Sequence, residues 1–325
     1  MSSLNCDFVA WWEMFKYQNT ITHAACCAGV GVHSGLKTRL TILPARPGHG
    51  IRFRRSDLGT GEIRAHADNV SGTAYGTSLS HKDGATISTV EHVLAACIGM
   101  GLDNVLIEVD GPEVPIMDGS SAVFCELIAE VGLSEQTAVR KIIRILETVE
   151  VEDGAKKARI SPTVSNELSL KAMIDFENPV IGIQEACLRL VPGAFRRDIG
   201  FARTFGLHKD VDMLKSMGLA LGGSLENAVL VGEDSVVNPE GLRSQDEFVR
   251  HKLLDAVGDL ALAGGHIAGL YEAEQPGHSI NAALIRKLID TPSAWCWETM
   301  TETMTETMTE ATGPVRTSAE LAIHV

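Results

Sequence analysis

The sequence lacks several features that would place it in well-defined protein classes. Its seven cysteines are scattered, odd in number and without a C-x-x-C pair, so neither a disulfide framework nor a cysteine zinc site is predicted. No run of about 18 apolar residues escapes interruption by charge, as a transmembrane helix would require. Basic residues are also few: 28 Lys and Arg against 42 Asp and Glu give a net charge of −14. A nucleic-acid partner is therefore not expected.

The N-terminal residues are apolar but do not have the pattern of an export signal. Asp7 stands where a signal peptide carries positive charge, and no small-residue cleavage site follows residues 8–15. Trp11, Trp12 and Phe15 leave transient contact with a membrane surface open. The sequence predicts a cytoplasmic protein without a transmembrane segment.

The order of sequence patterns predicts two related halves. A helical stretch carrying His92 is followed by a glycine turn and a strand at residues 105–109. About 160 residues later, a helical stretch carrying His251 is followed by a glycine pair and a strand at residues 267–271. This repeated layout suggests duplication and favours an α+β fold.

Changes in composition divide the chain into four predicted parts. Residues 132–136 are mostly polar and are interpreted as a linker between the halves. The final part consists largely of a Met-Thr-Glu repeat, which is typical of a low-complexity, disordered tail. The predicted parts are an N-terminal extension (1–17), a first α+β domain (18–135), a second α+β domain (136–297) and the tail (298–325).

One amphipathic stretch combines a buried face with an unusual polar side. Ser244 and Glu247 match a capping box, which predicts a helix beginning near Gln245. His251 and Asp255 lie one turn apart on this helix, and Asp259 follows one turn later. An imidazole and a carboxylate at this spacing can bind one divalent metal, although such a pair is more often a solvated ion pair.

A catalytic zinc site needs a third protein ligand and one open position. Among the other histidines, His92 stands out because Glu91 precedes it directly. A carboxylate beside a ligand can take a proton from an attacking water. The alternative is that Glu91 only closes a capping box with Ser88.

Three further residues have side chains suited to amide chemistry. His278 leads into a helix and could act as a general acid. Thr204 could donate a hydrogen bond to an oxyanion, and Lys252 could meet a phosphate or carboxylate. Each also has a purely structural interpretation, as a helix-start histidine, a strand-end threonine and a solvated lysine.

A series of motifs resembles the UDP-3-O-acyl-N-acetylglucosamine deacetylase family. The motifs occur in order from about residue 18 to residue 297, which covers most of the chain. They are GVGVHSG (29–35), TVEH (89–92), PIMDGS (115–120), ARTFG (202–206), LGGS (221–224), FVRHKLLDAVGD (248–259) and GH (277–278).

The resemblance implies a fold and a reaction. The fold would have two similar α+β halves, with helix layers packed against each other between two outer sheets and the active site between the halves. The reaction would be zinc-dependent hydrolysis of the acetamide of UDP-3-O-(3-hydroxyacyl)-N-acetylglucosamine, giving the free amine and acetate. This is the committed step of lipid A, and hence lipopolysaccharide, biosynthesis.

The resemblance also implies a role for individual residues. One zinc ion would be held by His92, His251 and Asp255. Glu91 would be the general base and His278 the general acid, with Asp259 orienting His278. Thr204 would stabilise the oxyanion, Lys252 would meet the polar head of the substrate, and His33 would lie near the diphosphate. A β-α-β insert over about residues 205–231 would form the acyl passage, with Phe205, Val211, Leu214, Met217, Leu219 and Ala220 as contacts.

One competing hypothesis belongs to another functional class. A catalytically idle protein on the same scaffold could bind a nucleotide sugar or an acyl chain. The intact set of catalytic residues favours the enzyme, and a small-molecule substrate and a monomer are expected. Fusion to an acyl-carrier-protein dehydratase is not expected, because the chain after Trp297 is too short for a second domain.

Overall fold

The computed structural model describes residues 16–300, and over these residues the fold is α+β. Two large sheets, one of five strands and one of seven, are accompanied by three small sheets. Most buried apolar side chains of both halves belong to one continuous core. No helix within residues 16–300 is long and apolar enough to cross a membrane.

The first large sheet has one buried face. In β3, Thr38, Leu40 and Ile42 are buried while Lys37 and Arg39 are exposed, which is the alternation expected of such a strand. The strand order is β2-β3-β9-β4-β5, with β4 parallel to β9 and the other neighbours antiparallel. The strands of this part of the chain are β1 (Tyr17–Ile21), β2 (Ala25–Val30), β3 (Lys37–Pro44), β4 (Ile51–Arg55), β5 (Ile63–Arg64), β6 (Val70–Gly72), β7 (Ser78–Ser80), β8 (Thr86–Ile87) and β9 (Val105–Val109).

The second large sheet is built around its longest strand, β18. The first residues of β18 pair with β11, and its later residues pair with β13 on one side and β14 on the other. The strands of this part are β10 (Leu133–Val139), β11 (Lys141–Ile145), β12 (Val149–Asp153), β13 (Lys156–Ser161), β14 (Leu168–Asp175), β15 (Ile183–Arg189), β16 (Phe205–Leu207), β17 (Val229–Val231), β18 (His266–Glu274) and β19 (Trp295–Thr299).

The helices connect the two sheets through a direct helix–helix contact. Helix α1 packs against α2 and α4, while α4 also packs on β14 and β15. Helix α5 packs on β12 and β13 and contacts α4. The helices are α1 (Glu91–Gly99), α2 (Ala122–Val131), α3 (Val211–Ser216), α4 (Glu247–Leu260) and α5 (His278–Ile289).

A glycine allows α1 and α4 to approach closely. A Cβ atom on Gly258, in the last turn of α4, would lie 2.1 Å from the carbonyl oxygen of Glu91. No real side chain tolerates this distance, because the opposing atoms are backbone rather than the end of a flexible side chain. Gly258 therefore brings the beginning of α1 against the last turn of α4.

The predicted capping box at the beginning of α4 is wrong. The helix begins at Glu247, and its N-cap residue Asp246 makes no side-chain capping bond. The Glu247 carboxylate instead accepts hydrogen bonds from the backbone N–H and Nε of Arg203, at 3.0 and 2.8 Å, and from the Arg243 N–H at 2.6 Å. Glu247, which the local sequence pattern assigned to the helix cap, therefore forms a buried ion pair with Arg203 instead.

Two segment interpretations also differ from the structure. Residues 132–136 are not a linker, because β10 begins at Leu133 and pairs antiparallel with β1. The predicted tail begins within β19, where Glu298 and Thr299 pair with β11, and Met300 is buried. Residues 1–15 of the predicted extension and 301–325 of the tail lie outside the described residues. The domain boundaries themselves stay a prediction.

Replacing Gly258 by alanine should separate α1 from α4. We expect a net loss of about 2 kcal/mol in the free energy of unfolding, since overpacking costs about 1–3 kcal/mol and the opposing backbone atoms place this contact at the upper end of that range. The better helix propensity of alanine, about 1 kcal/mol, offsets only part of this cost. Urea unfolding monitored by circular dichroism measures the difference.

Gly206→Ala is the matched control, because a Cβ at Gly206 meets nothing within 4 Å. It should leave the unfolding midpoint nearly unchanged. Equal stability of the two variants would show that the helices do not need this close contact.

Candidate active site

Three potential metal ligands meet where α1 contacts α4. His92 lies in the first turn of α1, and His251 and Asp255 lie one turn apart on α4. The Oδ1 atom of Asp255 is 3.3 Å from Nε2 of His251 and 3.6 Å from Nε2 of His92. All three side chains are buried, and their potential ligand atoms lie within 4.8 Å of one another. The structure thus unites the His–Asp pair of one helix with a histidine from the other half.

The hydrogen bonding of this group fits a bound cation. Asp255 Oδ1 is buried and makes no hydrogen bond, although an unpartnered buried carboxylate oxygen is costly. His251 Nδ1 lies 3.1 Å from the carbonyl oxygen of Ala202, so this nitrogen carries the proton and donates it. The lone pair of His251 Nε2 is then directed at the same space as Asp255 Oδ1, as a metal ligand requires.

The charges also suit metal binding. Burial lowers the pKa of His251 to about 3, so its imidazole is neutral at pH 7. Burial opposes ionisation of Asp255, but the neighbouring His251 and Lys252 outweigh it and hold its pKa well below the ordinary value. Because His251 is neutral at pH 7, the Lys252 ammonium, 2.8 Å from Asp255 Oδ2, is the decisive charge. The group presents two imidazoles and one carboxylate, which is a donor set that zinc commonly uses.

Glu91 is a buried carboxylate beside the three potential metal ligands His92, His251 and Asp255, which we call the metal group. Its Oε2 accepts the backbone N–H of Thr77 at 3.0 Å, and its Oε1 lies 3.7 Å from His278 Nε2. Burial raises the pKa of Glu91, while His278 and His92 counteract part of the shift. The alternative of a capping box with Ser88 is wrong, because the N-cap of α1 is Val90 and makes no side-chain bond. A carboxylate whose pKa lies above its ordinary value suits a general base near neutral pH.

His278, the first residue of α5, faces Glu91 from the second half. Its Nδ1 donates to Asp259 Oδ2 at 3.0 Å, which leaves Nε2 on the side of Glu91. Burial alone would lower the pKa of His278, but the carboxylates of Asp259 and Glu91 outweigh it and raise the pKa to about 10. The imidazole is thus held as a proton donor at pH 7.

Sequence reasoning missed the residues that hold Asp259 in place. Its Oδ2 also accepts Nδ2 of Asn281 at 2.9 Å, and Asn281 Oδ1 accepts the Tyr271 hydroxyl at 2.6 Å. Its Oδ1 accepts the Thr77 hydroxyl at 2.6 Å. Asn281 could have been found from its i+3 spacing to His278, whereas Thr77 lies on a loop with no spacing signal.

The ARTFG motif is fixed to the beginning of α4 by a buried ion pair. Arg203 binds Glu247, and the neighbouring carbonyl of Ala202 holds His251. Thr204 bonds through its backbone to Gly119 and Val229, and within residues 16–300 its hydroxyl has no hydrogen-bond partner. Thr204 therefore lies two residues after Ala202, whose carbonyl contacts His251, on a segment that the Arg203–Glu247 pair holds in place.

The side chain of Phe205 lies beside the metal group. Its ring centroid is 6.2 Å from that of His251 and 4.9 Å from that of Phe248. The Nζ atom of Lys252 lies 5.5 Å from the Phe205 ring centroid. Phe205 thus provides an apolar surface beside the metal group, and Lys252 provides a positive charge next to it.

The predicted insert forms a small β-α-β unit. Strands β16 and β17 pair in parallel, with α3 between them. After α3, Leu219 leads to Ala220 and Leu221, which bond to His33 of the first half. Both ring nitrogens of His33 are engaged by backbone groups, Nε2 with Tyr75 O at 2.8 Å and Nδ1 with the Ala220 N–H at 3.4 Å. Among the predicted wall residues, Val211, Leu214, Leu219 and Ala220 are partly buried, whereas Met217 is 58% exposed.

Comparison with known proteins gives a consistent result. A family model described as LpxC: UDP-3-O-acyl N-acetylglycosamine deacetylase matches residues 18–290. Similar proteins include one from Myxococcus xanthus (strain DK1622), 48% identical over 282 residues, which span 86% of this chain and 88% of that protein. Another, from Haemophilus influenzae (strain PittEE), is 44% identical over 288 residues, spanning 88% of this chain and 94% of that protein. Both relatives bear the name UDP-3-O-acyl-N-acetylglucosamine deacetylase.

The protonation state of His278 can be tested directly. In the metal-free protein, ¹⁵N NMR titration of His278 should give a midpoint near pH 10 rather than the ordinary value of about 6.5. A folded-state pKa above the unfolded one means that the His278–Asp259 pair contributes stability that is fully present below about pH 6.5. That stability should be lost as the pH rises through about 10.

Asp259→Asn is the companion variant, because it removes the largest charge that favours protonated His278. Its midpoint should fall below that of the unmodified protein. Equal midpoints in both proteins would contradict the assigned role of Asp259.

Proposed function

Because the chain belongs to the UDP-3-O-acyl N-acetylglycosamine deacetylase family, we propose that it hydrolyses the acetamide of UDP-3-O-(3-hydroxyacyl)-N-acetylglucosamine. Water is consumed, the amide C–N bond breaks, and the products are acetate and the free amine of the sugar. The reaction is the committed step of lipid A biosynthesis. The observation that supports it best is the meeting of His92, His251 and Asp255 beside Glu91 and His278.

We propose that His92, His251 and Asp255 hold one zinc ion. Two imidazoles and one carboxylate leave a fourth position open, as in catalytic zinc sites. When bound, zinc supplies a Lewis acid that polarises the carbonyl and lowers the pKa of water towards about 7. Lys252 balances the charge of Asp255 and fixes its second oxygen, so that Oδ1 stays free for the metal.

Glu91 and Thr204 are proposed to act in the first step, Glu91 on the attacking water and Thr204 on the acetamide oxygen. Glu91 accepts a proton from the attacking water, since burial raises the pKa of its carboxyl above the ordinary value. The Thr204 hydroxyl donates a hydrogen bond to the oxyanion that develops on the acetamide oxygen. Glu91 and the Thr204 segment come from different halves, so the active site would be complete only when the halves are assembled.

His278 is proposed to protonate the leaving amine in the second step. The proton would come from Nε2, because Nδ1 is bound to Asp259. Asp259 holds the imidazole in this orientation and stabilises its protonated form. With separate residues for base and acid, each can keep the protonation state that its step needs.

Substrate positioning is proposed for residues around this centre. Lys252 would meet the polar head, and His33 would lie near the diphosphate. The acyl chain would pass along the insert, between Phe205 and the side chains of Val211, Leu214, Met217, Leu219 and Ala220. We further propose that the enzyme is a cytoplasmic monomer, with transient membrane-surface contact when it meets its acylated substrate.

The proposed reaction predicts acetate release that depends on Glu91. Purified protein should release one acetate per UDP-sugar, and Glu91→Gln should lower kcat by at least about 100-fold, as expected when a general base is lost. Coupled acetate detection and mass spectrometry of the sugar measure both products. Arg159→Gln, which alters an exposed ion pair with Glu272, should leave kcat unchanged.

Two results would contradict this assignment. Full activity in Glu91→Gln would remove Glu91 from the chemistry. Tight UDP-sugar binding without any acetate release would instead favour the idle binding protein.

The proposed ligand set predicts metal loss when Asp255 is changed. The protein should hold about one zinc per chain, and Asp255→Ala should lower both the zinc content and the activity. Inductively coupled plasma mass spectrometry after dialysis measures the metal. Asp246→Ala, at the N-cap of the same helix, removes a carboxylate that pairs with Arg250 at the surface, and this variant should keep its zinc.

Unchanged zinc content in Asp255→Ala would exclude Asp255 as a ligand. Removal of zinc by a chelator should stop acetate release, and restoration of zinc should recover it. A chelator-resistant activity would exclude zinc from the reaction.

A further inference from the structure

Thr77 contacts both of the carboxylates that flank the proposed reaction. Its backbone N–H donates to Glu91 Oε2 at 3.0 Å, and its hydroxyl donates to Asp259 Oδ1 at 2.6 Å. Thr77 is buried, so water does not replace either bond. One residue of the first half is thus bonded to Glu91 and to the aspartate that holds His278.

The backbone before Thr77 is held in an uncommon conformation. Tyr75 has a φ of 59°, in the left-handed region that non-glycine residues rarely adopt, and Gly76 has a φ of 159°. The carbonyl of Thr77 accepts the N–H of Val90 at 3.2 Å, which ties this turn to the beginning of α1. A Cβ on Gly76 would lie only 3.1 Å from Glu91 Oε1, so the turn and the carboxylate are tightly packed.

The hydroxyl bond completes the surroundings of Asp259. Its carboxylate accepts one hydrogen bond on Oδ1, from Thr77, and two on Oδ2, from Asn281 and His278. The two donors on Oδ2 belong to α5, and neither of them contacts Oδ1. Thr77 is the donor that fixes the other oxygen, and it does so from the opposite half of the protein.

We propose that Thr77 is a positioning residue that fixes Asp259, and through it His278, relative to Glu91. The inference deepens the proposed deacetylase function and rests on it. Without the hydroxyl, Asp259 turns and His278 Nε2 loses its fixed direction towards the leaving amine. Both side chains are buried, so we expect the loss to fall on turnover rather than on affinity.

Thr77→Val isolates the hydroxyl. Valine keeps the β-branched shape and the backbone N–H to Glu91 but removes the donor to Asp259. We expect kcat to fall about 10- to 100-fold, the range for loss of a hydrogen bond to a charged group, with KM changed less than about twofold. Thr77→Ser keeps the hydroxyl and should recover most of kcat.

Three further measurements separate positioning from general damage. Zinc content should stay near one per chain in Thr77→Val, because no metal ligand is bonded to Thr77. The low-field ¹H NMR signal of the His278 Nδ1 proton should shift in Thr77→Val and return in Thr77→Ser. Thr20→Val is the matched control: it removes a buried threonine hydroxyl with an equally short bond, to Asn104 O at 2.6 Å. It should lower stability but leave kcat and the His278 signal unchanged.

The outcomes distinguish this inference from the proposed function. No acetate release by the unmodified, zinc-loaded protein would refute the function itself. An active unmodified protein with equal kcat in Thr77→Val, or an unshifted His278 signal, would refute the positioning role alone. If Thr77→Val does not fold, Thr77→Ala replaces it, and failure of Thr77→Ser to exceed the replacement in kcat would likewise overturn the proposal.

Discussion

The close contact between α1 and α4 is the constraint on which the candidate active site depends. His92 belongs to one helix, and His251 and Asp255 belong to the other, so the metal group exists only at this helix–helix spacing. Gly258 permits the spacing because any larger residue would meet the backbone of Glu91. The same contact brings Glu91 within reach of His278, which α5 carries on the other side of α4.

Burial of several charges at this contact is made tolerable by specific partners. An isolated buried ion costs several kcal/mol, so such groups are normally paired and hydrogen-bonded. Asp255 is paired with Lys252, and Asp259 with His278, Asn281 and Thr77. Among residues 16–300, Glu91 has as partners only a more distant His278 and one backbone N–H, and burial raises its pKa. This unequal pairing distinguishes the two carboxylates: Asp259 is held by three hydrogen-bond donors, whereas Glu91, the proposed base, accepts one.

Local patterns predicted the regular elements well where tertiary contacts did not compete. The strand predicted at residues 105–109 agrees with β9 at both ends, and the strand predicted at 267–271 lies within β18. Failures occurred where a distant partner decided the outcome. Strand β10 was interpreted as a linker because its residues are polar, but it is stabilised by pairing with β1 at the other end of the first half. Both capping boxes failed because Glu91 and Glu247 are bound by Thr77 and Arg203 instead.

The sequence by itself determined the His251–Asp255–Asp259 series, because helical periodicity alone places residues four apart on one side. It also determined the order of motifs, and with it the resemblance that assigned His92, Glu91 and His278. Only the tertiary structure decided that these residues meet, that Glu247 forms an ion pair with Arg203, and that Thr77 bonds to both Glu91 and Asp259. Thr77 and Asp259 are 182 residues apart. A contact of that separation follows from the packing of whole elements, so no local pattern in the sequence records it.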